Sequence, residues 1–222
     1  MNKYHIIKDS IILILIAAVV YFGYEAYQNN TFKLKAFEMS LTKMGTGISI
    51  DNQRKAKIAK GTEMIQSRNK KLPYAVAMNY AEWFVDEADK FPNVDFVLLI
   101  AIASQESAFN DRALSPTGAK GIMQLIPTTA MDMCEYMRMS YNDTLLYDAK
   151  TNIRLGARYV NQMMTYFNNV EHAVSAYNAG PGGAARYKLY KAGALGKESV
   201  AEENLKYVPL VLSYKSQYEK LL

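Results

Sequence analysis

Apolar and polar positions divide the chain into an uncharged run near the N-terminus, a basic stretch, and a long region of three- and four-residue apolar spacing. Pro73 sits where a helix would start, and Val76, Tyr80, Trp83, Phe84 and Ala88 then recur at helical period. Pro92-Asn93 interrupts that stripe, and Phe96, Leu99, Ile100 and Ala103 begin a second one. Asn110, Ser115, Pro116, Gly118 and Gly121 replace it with turn chemistry until Pro127, a helix start followed by Thr128 and Thr129. The segment from Tyr141 to Thr151 is polar and loop-like. Helical spacing returns in Ile153, Gly156, Tyr159, Val160, Met163, Met164 and Phe167, with Gly156 read as a site of close helix packing. Val170 to Ala179 predicts a shorter helix stopped by Gly180-Pro181. Gly182-Gly183 and Ala192 to Gly196 read as mobile connections, and Leu205, Val208, Val211 and Leu212 as a last helix. No long alternating run predicts a sheet, so the expected class is all-α with little or no β.

One position breaks the pattern. Three residues beyond Ala103 the core face reaches Glu106, where periodicity calls for an apolar side chain. A carboxylate turned inward is costly unless it is paired, hydrogen-bonded or protonated. The glycine-punctuated loop that follows suits the wall of a cleft, although a plain helix–loop–helix connection has the same composition. Burial beside Leu99, Ala103 and Phe109 would raise the pKa of Glu106, the direction a proton donor near neutral pH requires.

Composition narrows the chemistry. A chain of 222 residues is long enough for one sizeable core plus an appendage. Cys134 is the only cysteine, which excludes an internal disulfide and a cysteine-rich metal site, and Met131, Met133 and Met137 around it suit a buried thiol. His5 and His172 are the only histidines and neither has a partner at ligand spacing, so no metal, no cofactor and no Ser-His or Cys-His machinery is expected. The formal charge of +5 is concentrated between Phe32 and Lys71, where Lys33, Lys35, Lys43, Arg54, Lys55 and Lys57 are followed by four more basic residues. A solvated or membrane-surface segment is the simpler account, and no nucleic-acid module accompanies it. Ile11 to Tyr24 is uncharged and flanked by Lys3, Lys8, Tyr21, Tyr24 and Tyr27. It is read as a signal anchor, with a cleaved signal peptide and a buried helix as alternatives. The expected organisation is an anchor over 1–30, a partly helical basic tether over 31–72 interrupted by Gly45, Gly47 and Gly61, and a domain over 73–222.

Glu106-Ser107 with Phe109, then Ser115, Gly118-Ala119, Gly121-Ile122-Met123-Gln124 and Pro127 with Thr129-Ala130, closely resembles the soluble lytic transglycosylase (SLT, goose-lysozyme-like) family. Asp148, Asn152-Ile153, Gly156 and Tyr159 resemble the family's middle helix. Ala176-Tyr177-Asn178-Ala179-Gly180-Pro181 resembles its Ala-Tyr-Asn-Ala-Gly signature, and Glu203 with Tyr207-Val208 its Glu-x-x-x-Tyr-Val segment. Ile122 replaces the usual leucine and Asn204 the usual threonine.

The resemblance implies a lysozyme-like helical domain that cleaves peptidoglycan glycan strands with formation of 1,6-anhydro-N-acetylmuramoyl ends. In it Glu106 would act first as acid and then as base. Gln124 and Ser115 would bind acetamido and hydroxyl groups, Met123 would lie against the sugar, and Tyr177 would donate toward Glu106. Asn178 would hold the cleft edge and Glu203 would line its far side. Each has a plainer account: Met123 as core, Ser115 as a turn cap, the Ala-Tyr-Asn-Ala-Gly string as a helix end, and Trp83 as core. A hydrolytic muramidase and an idle glycan-binding or assembly module are the competing functions. The charges around the apolar run point both ways, so the domain is placed outside the membrane, in the periplasm or extracytoplasmic space, on the implied cell-wall substrate alone. An envelope-spanning machine or a phage particle is the setting entertained for it.

Overall fold

The computed structural model describes the backbone of residues 3–222, with the side chains of 15–28 and 30–222. Ile11 to Ile14 of the apolar run, and Lys3, Lys8 and Asp9 before it, therefore lie outside the described side chains. Among the described residues no helix is long and apolar enough to cross a membrane.

Seven α-helices follow in order among the described residues: α1 (Lys3–Arg68), α2 (Tyr74–Ala88), α3 (Phe96–Glu106), α4 (Pro127–Tyr136), α5 (Ala149–Phe167), α6 (Val170–Lys191) and α7 (Glu202–Glu219). Two short 3-10 turns, Asp143–Tyr147 and Lys197–Ser199, join them. The only pairing of extended chain among the described residues is two isolated antiparallel bridges, Leu114 with Lys120 and Lys120 with Leu125. The segment after Tyr141 is thus less irregular than its polarity predicts, and Gly182-Gly183 belong to α6, not to a mobile connection. The break predicted at Gly180 is present: φ 68 and ψ 170 interrupt α6 there, and Pro181 opens its second half.

The chain forms two compact units, Met1–Gln53 and Arg54–Leu222. The second unit begins earlier than the expected boundary at 72–73, for two physical reasons. Thr62, Met64 and Ile65 are fully buried. Gly61, read from sequence as a helix interruption, lies inside α1 where a Cβ would come within 3.1 Å of Ala81 and 3.3 Å of Ile100. The basic residues there are not simply solvated either. Arg54 pairs with Asp86 at 2.7 Å and Glu82 at 2.8 Å, and Lys57 with Asp89 at 2.6 Å. Such half-exposed pairs align α1 against α2 more than they stabilise it.

The centre of the second unit is α3. Asp95 caps it by accepting from the Leu98 amide at 2.6 Å. Every residue from Phe96 to Ser104 is buried, so the apolar face read from periodicity extends around the whole helix. Packing is closest against α7, and the Ser104 and Tyr218 hydroxyls share a buried hydrogen bond of 2.8 Å. A second layer pairs α5 with α6 and with α2. Cys134 is buried, as its methionine-rich surroundings predict. Trp83 is half-buried against the core, 5.7 Å from the Tyr80 ring.

Candidate active site

Glu106 is the last residue of α3, where the helix must end and the chain must turn away. Ser107 makes that turn specific: its Oγ donates to the Ile122 carbonyl at 2.7 Å, tying the helix end to the opposite arm of the loop. Ala108 and Phe109 follow with φ 48 and 66, a left-handed conformation that non-glycine residues adopt at a cost. Two contacts hold them there and a third fixes the helix just before Glu106. The Phe109 ring is buried edge-on to Phe84, the Asn69 amide donates to the Ala108 carbonyl at 2.9 Å, and Arg68 Nε donates to the Ser104 carbonyl at 3.2 Å. The end of α1 therefore brackets Glu106 on both sides.

The far arm of the loop is built on Asn152 of α5, which is fully buried. Its Oδ1 accepts from the Met123 amide at 2.8 Å, and its Nδ2 donates to the carbonyls of Lys120 at 3.0 Å and Leu146 at 2.9 Å. Gly121, at φ 80, has the Leu146 carbonyl and the Asn152 amide in the space a Cβ would need. Met123 packs on Gly156, so the close approach predicted at that glycine is real, but the partner is a side chain of the loop.

Glu106 opens into a cavity of about 500 Å³ that Ser115, Gln124, Tyr177, Asn178 and Glu203 also line. Six of the seven residues proposed from sequence thus meet around one space. Met123 does not: its side chain is fully buried against Gly156, which corrects the expectation that it lies against a sugar. Its backbone is what serves the site, since the Met123 carbonyl accepts the Tyr177 hydroxyl at 2.7 Å. This is a second correction, because Tyr177 was expected to donate to Glu106. Tyr207 does so instead, at 2.5 Å from Oε1.

The remaining residues are held as follows. Gln124 Nε2 donates to the carbonyls of Gly121 at 3.0 Å and Ala113 at 3.2 Å, so Oε1 is the end of the amide not engaged by the loop. Ser115 is a turn cap as well as a lining residue, its Oγ accepting from the Ala119 amide at 2.9 Å. Asn178 donates to Asn204 at 3.4 Å, and Asn204, fully buried, donates onward to Ser175 at 2.7 Å. Tyr159 packs 5.4 Å from the Tyr177 ring and lines the same cavity with Thr129, Asp132 and Gln162.

Electrostatics favour a neutral Glu106. Loss of water around the carboxyl raises its pKa, the Tyr207 hydrogen bond opposes this, and the negative charge of Glu203 adds to the rise, for a value of about 7. Burial pushes the Tyr177 and Tyr207 hydroxyls well above 10, so both remain donors. Asp111, the acid nearest Glu106 in the downstream sequence, instead faces Tyr80, whose hydroxyl is pushed up to about 12 by burial first and by this carboxylate second. In the sequence Tyr207 figures only as part of the Glu-x-x-x-Tyr-Val segment and with no role at the site, although the signal for one was present. It lies four residues after Glu203, on the same helix face, so a helix that turns Glu203 to the cleft turns Tyr207 there too.

A half-buried acid with its pKa raised to about 7, at the end of a core helix and facing a polar cleft in an all-α unit, is the arrangement of a lysozyme-like domain. The family model that matches residues 84–200 is the transglycosylase SLT domain, and the chain belongs to that family. It is 36% identical over 127 residues to the soluble lytic murein transglycosylase of Escherichia coli, covering 54% of this chain and 20% of that protein. It is 34% identical over 135 residues to the membrane-bound lytic murein transglycosylase F of Actinobacillus succinogenes, covering 58% of this chain and 26% of that protein. The crystal structure of the 70 kDa soluble lytic transglycosylase of Escherichia coli superposes with a TM-score of 0.58 at 26% identity, covering 75% of this chain and 29% of that one. The chain thus spans about a fifth to a quarter of the length of these curated relatives.

Proposed function

We propose that the protein is a peptidoglycan lytic transglycosylase that cleaves the β-1,4 bond between N-acetylmuramic acid and N-acetylglucosamine and leaves a 1,6-anhydro-N-acetylmuramoyl end. The observation that carries this is Glu106, an acid that keeps its proton to about pH 7 inside a sugar-sized cleft. Membership of the SLT family and the chain's likeness to lytic murein transglycosylases support it.

The chemistry balances with one carboxyl group. Glu106 gives its proton to the glycosidic oxygen as the bond from C1 breaks, and the substrate's acetamido oxygen stabilises the positive C1. The Glu106 carboxylate then takes the proton of the C6 hydroxyl as O6 bonds to C1. The proton returns to its donor and no water is consumed. Tyr207 supports both halves, since its hydrogen bond stabilises the carboxylate between them. Gln124 Oε1 and the Ser115 and Asn178 side chains are the groups offered to the acetamido and hydroxyl groups of the glycan.

One observation favours a second route. Glu203 lines the same cavity and its charge reaches Glu106, so it is the carboxylate placed to orient a water and give hydrolysis instead. Digestion of purified peptidoglycan followed by mass spectrometry of the sugar ends separates the two. Anhydro ends are expected, with release abolished in Glu106→Gln. Reducing ends would assign the hydrolytic route, and no release by the unmodified protein would sink both.

We also propose that residues 1–30 anchor the chain in a membrane with the cleft on the cell-wall side. The uncharged run and a membrane-bound relative are the support. Carbonate-resistant membrane association of the full chain, lost when 1–30 are removed, is the expected result.

A further inference from the structure

The Met1–Gln53 unit carries an apolar seam that no other described residue covers. Between Tyr27 and Ile48 the helix α1 places Tyr27, Asn30, Leu34, Phe37, Leu41, Met44 and Ile48 at alternating spacings of three and four. All seven positions but Asn30 are large and apolar, whereas among the intervening residues only Phe32 and Met39 are. The apolar seam residues are 51–66% exposed. A spacing that averages 3.5 residues is the period that keeps one stripe facing a partner helix over three turns and more.

We propose that this seam packs against the same segment of a second copy of the chain, as a parallel two-stranded coiled coil over residues 27–48. Charge selects that occupant. Lys33 and Glu38 flank the seam at the two positions that meet across a parallel, in-register pair, so each copy's Lys33 faces the other's Glu38, two pairs in all. Neither has an ion-pair partner within the chain among the described residues, and no acidic ladder elsewhere on this stretch would satisfy them. Asn30 adds a polar residue in the seam, which pairs best with its own copy and so fixes register. Off the seam the hydroxyls of Thr31, Thr42 and Thr46 bond back to carbonyls one turn earlier, leaving that side satisfied by the helix itself.

The test uses the full chain in mild detergent and again in vesicles. Sedimentation should give twice the 25.0 kDa chain mass. Oxidative cross-linking of single-cysteine variants should be strong at Leu34→Cys, Leu41→Cys and Met44→Cys and weak at Ala36→Cys and Lys43→Cys, with the buried Cys134 silent in the unsubstituted chain. Lys33→Glu or Glu38→Lys alone should weaken the dimer about fivefold, because two symmetry-related pairs turn repulsive, and the double reversal should restore it. A membrane surface covering the seam predicts something different: Lys33→Glu weakens vesicle binding and Glu38→Lys strengthens it, whereas in the dimer both single reversals weaken association. That result, a monomer in both media, or cross-linking without the three–four period would each overturn the proposal.

Discussion

The Tyr207 hydroxyl lies 2.5 Å from Glu106 Oε1, two residues 101 apart in sequence, brought together because α7 packs along α3. Burial alone would make Glu106 a reluctant acid, because the carboxylate left behind would be poorly solvated. The Tyr207 hydrogen bond lowers the cost of the carboxylate form, and the value of about 7 is the balance of the two. In Tyr207→Phe the hydrogen bond is lost and burial remains, so the Glu106 pKa rises. The expected outcome is a descending limb of the pH–rate profile displaced to higher pH. A fall in kcat of about 10²-fold should accompany it as the carboxyl loses its orientation. Turnover of labelled peptidoglycan across pH 5–9 checks both, and an unmoved limb would count against a role for this hydroxyl.

Glu203→Gln should move the limb the other way. Its charge is one of the causes that raise the Glu106 pKa, so its removal lowers that pKa. Activity at pH 7 then falls because less of Glu106 is protonated, and it recovers as the pH is lowered. A loss that persists unchanged at pH 5 would instead point to Glu203 touching substrate or water directly.

The same shift has a consequence for stability. Glu106 rises from 4.5 to about 7 on folding, so the folded state holds a proton that the unfolded chain gives up. Its stabilising contribution is complete below pH 4.5 and is lost as the pH climbs to about 7, which amounts to about 2 kcal/mol for a partly open side chain. Glu106→Gln removes the titration. The inactive variant should therefore overtake the unmodified protein in thermal stability above pH 7 and show less decline between pH 4.5 and 7. Parallel melting curves of the two proteins would contradict the burial assigned to this carboxyl.

Much of this site is legible in the sequence because each feature is local. The apolar spacing of Phe96, Leu99, Ile100 and Ala103 announces α3 and points to Glu106, Pro127 announces α4, and Gly180-Pro181 announces the break in α6. Family motifs add the residues of the cleft. What escaped depends on contacts between distant segments. Periodicity cannot tell that Met123 turns inward onto Gly156 while its carbonyl takes the Tyr177 hydroxyl. Nor can it tell that Gly61 marks tight packing of α1 on α2 and α3, when Gly45 and Gly47 in the same helix have open space around them. A glycine is a helix interruption or a helix contact according to what lies opposite, and composition is the same in both.

Arg68 and Asn69 lie before the residues that match the family model, yet they grip the backbone on either side of Glu106. The grip matters because Ala108 and Phe109 hold left-handed conformations that cost roughly 1–2 kcal/mol each and would relax if released. Relaxation would swing the end of α3 and take the carboxyl away from Tyr207. Asn69→Ala should cost about 1 kcal/mol of stability, the ordinary worth of one hydrogen bond, while kcat falls about tenfold and KM stays within twofold. Ala108→Gly, which removes the strain without touching the grip, should keep kcat near that of the unmodified protein. Combining it with Asn69→Ala should restore part of the lost kcat, because a glycine at 108 holds the turn without the strain that drives it open. If Asn69→Ala loses activity only in proportion to the fraction unfolded, the end of α1 is packing and nothing more.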